Sequence, residues 1–151
     1  MHRIVAAGLA ALGFIAAAGT ASAVEVRECG WSANAQFIVE PWEKNARTFY
    51  NGQVRVAYLD TFGEPVCCST LLLIIAPDPG EDALGPLCRV VGDHDEMGFQ
   101  DIAFDKLTAR YDPNKGLLIV FPYSLYVDGI ESKHGTAKVR VNLATGTIVA
   151  E

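Results

Sequence analysis

Apolar and polar positions alternate along this chain with a period of two, in short runs separated by turn signals. Gln53-Val54-Arg55-Val56-Ala57-Tyr58-Leu59 places Val54, Val56 and Tyr58 on one face and Arg55, Ala57 and Leu59 on the other, the pattern of an antiparallel strand. Thr48-Phe49-Tyr50 precedes it across Asn51-Gly52, and Asn-Gly between β-rich runs signals a hairpin. After the break at Gly63-Glu64-Pro65, Leu71-Leu72-Leu73-Ile74-Ile75 is apolar at every position, which predicts a strand covered on both faces over Cys67 to Ala76. Pro77 to Pro86 reads as a loop, Leu87 to Val91 as a strand and Gly92 to Gly98 as a polar loop. Phe99 to Asp105 carries no clear period. Leu107 to Tyr111 and Leu117 to Phe121 read as strands joined by the turn Asp112-Pro113-Asn114-Lys115-Gly116. Pro122 has no N–H to give a ladder, so it predicts an edge, a bulge or a bend. Val139, Val141 and Leu143 alternate with polar neighbours, and Thr147 to Ala150 returns past Ala144-Thr145-Gly146. The one helical stretch is Trp42 to Arg47, a single turn after Pro41. Seven to nine short strands predict an all-β domain, a small antiparallel sandwich or barrel.

The first 23 residues break this pattern. A positive start, Met1-His2-Arg3, leads into the uncharged apolar run Ile4 to Ala18 and then Ala21-Ser22-Ala23, the Ala-x-Ala of a signal-peptidase site. Residues 1–23 are therefore read as a signal peptide and 24–151 as one β-rich domain. The apolar run falls short of the roughly 20 residues of a membrane crossing, and Glu25 and Glu28 follow it in place of a basic flank, so no stable anchor is expected after cleavage. With no Asn-x-Ser/Thr sequon in the chain, the leader points to a bacterial periplasmic or secreted protein.

Cleavage after Ala23 leaves 128 of the 151 residues and moves the formal charge from −6 to −7, since Arg3 is the leader's only charged side chain. A net negative domain without a basic cluster offers no footprint for nucleic acid and no electrostatic hold on an anionic membrane.

Export also fixes how the four cysteines are read. Cys29, Cys67, Cys68 and Cys88 are expected to be disulfide-bonded. Neighbouring residues on a strand face opposite ways, so one of Cys67 and Cys68 is expected to take Cys29 and the other Cys88. That pairing carries a geometric condition. Were 68–76 and 87–91 a plain hairpin, Cys88 would face residue 75, roughly 20 Å from Cys68 at about 3.3 Å per residue. No Cys-x-x-Cys is present, and the cysteine spacing does not fit a zinc site.

Candidate chemistry is sparse. Gly92-Asp93-His94-Asp95-Glu96-Met97-Gly98 clusters three carboxylates and an imidazole. Asp93, Asp95 and Gly98 match the first, third and sixth positions of an EF-hand loop, but Met97 and Phe104 stand where that loop needs oxygen ligands. A solvated loop is the expectation. The competing reading is a calcium or other divalent metal site at Asp93, Asp95 and Asp101, the centre of a metal-dependent hydrolase or a calcium-binding module. Gly-x-Ser-x-Gly, His-Glu-x-x-His, P-loop and Gly-x-Gly-x-x-Gly patterns are missing, so no catalytic residue is assigned and no cofactor is expected. Trp31, Trp42, Tyr123 and Tyr126 offer a stacking surface for a sugar or peptide, but the stronger reading for Trp31 and Trp42 is core, because a β domain needs aromatics inside. Tyr123 and Tyr126, beyond Pro122, are expected to form a contact surface with His94. Taken together, the sequence points to a non-enzymatic binding or structural module of the bacterial envelope. Its expected contacts are an envelope protein or glycan, met through loops 77–86 and 92–98 and the Tyr123 region.

Overall fold

In the computed structural model, which describes residues 24–63, 68–127 and 132–151, the chain forms two five-stranded antiparallel sheets. The expected leader and Cys67 lie outside the described residues. The first sheet runs in the order β1 (Val24–Glu28), β5 (Leu87–Asp93), β4 (Thr70–Ala76), β3 (Val54–Asp60), β2 (Ala46–Phe49). In the second, β10 (Thr147–Ala150), β9 (Ser132–Asn142) and β8 (Gly116–Tyr126) are neighbours, and β6 (Asp101–Ile102) and β7 (Thr108–Asp112) share the far edge of β8. The helical stretch shrinks to one turn, α1 (Trp42–Asn45). A sandwich, not a closed barrel, is the outcome.

The inner faces interlock. Val54, Val56, Leu72, Ile74 and Val91 from the first sheet meet Leu117, Ile119, Phe121, Val139 and Val141 from the second. Phe99, Phe104 and Leu107, from the irregular stretch between β5 and β7, fill the space between them.

The expected hairpin is present. Phe49 pairs with Val54, and Asn51 and Gly52 both hold positive φ, at 56° and 81°, as a primed turn requires. The all-apolar run lies in β4, with Leu72 and Ile74 in the inner core and Leu71 and Leu73 in a second, outer one. That second core, with Ala57, Leu59 and Val90, is covered by the irregular segment 29–38, whose Ala33, Phe37 and Ile38 lie on it. This strap is why β3 is buried on both faces when its Arg55-Ala57-Leu59 face reads as half polar.

Two expectations change. Pro122 stands inside an eleven-residue central strand, in register with Thr136 of β9, and neither ends nor edges it. On its other side β6 and β7 leave a gap, bridged by a 3-10 turn over Phe104–Lys106, and the Pro122 carbonyl accepts the Ala103 N–H at 3.0 Å. The missing donor falls where no continuous partner strand runs, so the ladder loses little.

The cysteine pairing also differs. Cys29 bonds Cys88 directly, with Cα atoms 5.4 Å apart. Strands β4 and β5 are plain antiparallel neighbours with Ile75 opposite Cys88, the register that puts Cys88 out of reach of Cys68. Cys68 is disulfide-bonded as well. The Cys29–Cys88 bridge ties the start of the strap to β5, next to the edge of the sheet it covers.

Candidate binding surface

The 92–98 loop is held shut from below. Arg27, on β1 beside β5, donates Nη1–H to the Asp93 carbonyl at 2.9 Å and Nη2–H to those of Glu96 and Met97 at 3.1 and 3.3 Å. Asp95 and Glu96 take positive φ at 55° and 64°, and the Met97 N–H closes the turn onto the His94 carbonyl at 3.2 Å. Gly98 sits so close to the start of β4 that a Cβ there would stand 2.5 Å from the Thr70 oxygen and 2.6 Å from that of Cys68. Three hydrogen bonds from one guanidinium and two tight approaches at this glycine make the loop a fixed turn.

The suggested metal ligands are not gathered. The Asp93 carboxylate is buried at the end of β5, and its Oδ1 lies 2.9 Å from His94 Nδ1 without forming a well-aligned hydrogen bond. This contact raises the His94 imidazole above its ordinary range. Asp95 reaches the other ring nitrogen at only 3.7 Å. Asp101 is turned to the first sheet, where its Oδ1 accepts the Tyr58 hydroxyl at 2.7 Å. Burial, and then that carboxylate, push the Tyr58 hydroxyl far above a phenol's usual value. Among the described residues no group of three or more His, Cys, Asp or Glu side chains is placed to hold a metal ion.

The expected contact surface divides. Loops 77–86 and 92–98 leave opposite ends of β5, about 20 Å apart for seven residues, so they do not share one face. Tyr123 is half-buried, its ring 4.5 Å from Phe99, over the space that Gly135 leaves open on β9. Burial and, next, the Asp93 charge raise its hydroxyl. Tyr126 is exposed near the end of β8, as is His94 on its turn.

The larger aromatic surface lies elsewhere, on the strap and the residues beside it, and it corrects the reading of both tryptophans as core. Trp31 is 76 % exposed and Trp42 51 %. Trp31 meets Phe37 edge to face at 5.8 Å, and Phe37 meets Phe62 at 6.2 Å, giving a continuous row. Phe62 is 72 % exposed and holds φ at +54°, a left-handed backbone rare for a bulky side chain. Asp60 holds it there, its Oδ1 accepting the Phe62 N–H at 2.9 Å. Between Phe62 and Trp42 lies an open hollow of about 390 Å³ with Ile38, Val39, Glu40 and Asp60 in its walls.

Phe37, Phe62 and the Arg27 clamp carry no spacing that marks them in the sequence. The one available signal for Phe62 is an aromatic placed in a turn, after the alternation of β3 has ended. Compared with known proteins, the chain matches no family model, no curated protein and no solved structure. Fold and surface together define it as a disulfide-bonded β-sandwich with an exposed aromatic row running from a strap over one sheet to the turn after β3.

Proposed function

We propose that this chain is an exported, non-enzymatic binding domain of the bacterial envelope, and that it meets its partner through the row Trp31, Phe37 and Phe62 with Trp42 beside it. One observation carries the reading: Trp31, Trp42 and Phe62 stand in solvent beside a segment fixed to the sheet by a disulfide and an outer core. Leaving such rings exposed forgoes burial worth about 1.5–3 kcal/mol for each phenylalanine-sized side chain, while interfaces draw much of their energy from a few aromatic anchors. Holding Phe62 in a left-handed backbone adds a strain of the kind that clusters at functional sites. Export is supported by the leader pattern and by the Cys29–Cys88 bridge.

Capture from solubilised envelope tests this. The tagged domain is expected to retain a partner, and Trp31→Ala with Phe62→Ala is expected to lower that capture at least tenfold. Tyr126→Ala and His94→Ala should leave it unchanged. Equal capture by the Trp31/Phe62 variant, with loss in the Tyr126 variant, would move the surface to the other sheet.

A further inference from the structure

The hollow beside Phe62 has a chemistry of its own. Its lining brings together the aromatic residues Phe62 and Trp42, the acidic residues Glu40 and Asp60, and Gln36, Ile38 and Val39. Among the described residues no basic side chain lines it; Lys44, two residues beyond Trp42, is outside the lining. Neither Glu40 nor Asp60 has an ion-pair partner among the described residues, whereas Glu25, Glu28 and Glu151 each pair with an arginine. One Asp60 oxygen accepts the Phe62 backbone N–H, which fixes that carboxylate at the turn.

A neutral ring stacked on Trp42 would leave both charges uncompensated as it excluded water from them. A cation answers both carboxylates and is also drawn to the electron-rich faces of the two rings. A formal charge of −6 on the whole chain adds a field that draws basic partners in.

We infer that the hollow between Trp42 and Phe62 takes a lysine or arginine side chain from a basic segment of the partner, with Glu40 and Asp60 as its counter-charges. This deepens, and rests on, the reading of the aromatic row as a binding surface.

The chain's only tryptophans, Trp31 and Trp42, both belong to this surface, so intrinsic fluorescence reports directly on it. The probes are a hexa-arginine amide, a hexaglutamate peptide and cellohexaose, each titrated into the mature protein. Hexa-arginine is expected to change the emission saturably, and to bind more weakly as salt rises from low to about 0.5 M. Hexaglutamate is expected to give no response, and an equal response to both charged peptides would overturn the assignment. The isosteric pair Glu40→Gln and Asp60→Asn is expected to weaken hexa-arginine binding about fivefold or more, while the new amide oxygen beside Phe62 can still accept its N–H. Trp42→Ala should weaken it about threefold. Absence of a saturable response to hexa-arginine, or an affinity unmoved by the charge-neutral pair, overturns the cation assignment. Cellohexaose binding that ignores the carboxylates does the same and makes the hollow a sugar platform. In each of those cases envelope capture by the Trp31 and Phe62 anchors can still succeed, so the two proposals fail separately.

Discussion

At the scale of single residues, Phe62 is the position where local rules and the fold disagree most. A left-handed backbone costs a residue with a Cβ about 1–2 kcal/mol relative to its usual conformations, and glycine escapes that cost. Phe62 buries little of its ring, so glycine there is expected to unfold at higher urea than alanine, with a free-energy gap of about 1 kcal/mol. An alanine variant more stable than the glycine variant would show that the backbone is not strained at this position. The sequence carries a glycine here, but at Gly63, one place too late, which is why the strained position reads as an ordinary loop residue. Arg27 was equally hidden. Its carbonyl partners lie 66 to 70 residues away, and a guanidinium bonding to backbone oxygens leaves no mark on their side-chain identities.

At the scale of elements, the features that depend on sequence neighbours and on a period of two were legible. These are the Asn51-Gly52 hairpin, the run Leu71 to Ile75, the loop 77–86 and the turn before β8. The strap is different. It has one 3-10 turn, no period and no strand of its own over 29–40, so its role as the second cover of β4 shows only in three dimensions. The expected cysteine pairing has the same cause: without a strap to place Cys29 over β5, adjacent Cys67 and Cys68 read as needing distant partners. The bridge closes a loop between residues 59 apart in sequence. Its removal by Cys29→Ser with Cys88→Ser is therefore expected to lower stability by about 4 kcal/mol in the chain-entropy view. Hydrogen exchange should accelerate first in segment 29–38 and on the outer side of β4, ahead of the inner core. Uniform acceleration across both sheets would mean that the strap is not a separately released unit.

At the scale of the whole molecule, two sheets form the scaffold, and the strap, α1 and the turn after β3 carry the exposed aromatics Trp31, Trp42 and Phe62. The acidic balance and the disulfide bonding were legible in composition and in the leader pattern. The location of the aromatic surface was not, because exposure depends on which aromatics the two cores leave outside. Trp31 and Trp42 carry the same apolar signal as the buried Phe99 and Phe121, and only the packing separates them. The central claim is that the aromatic row of the strap and the adjoining turn at Phe62, and not the Tyr126 end of the second sheet, meets the partner. Site-specific photocrosslinking in living cells tests it most directly, with benzoylphenylalanine placed at position 31, 62, 84 or 126 in turn. Crosslinks to a common partner from positions 31 and 62, with none from 84 or 126, are the expected result; crosslinks from 84 or 126 with silence at 31 and 62 would contradict it.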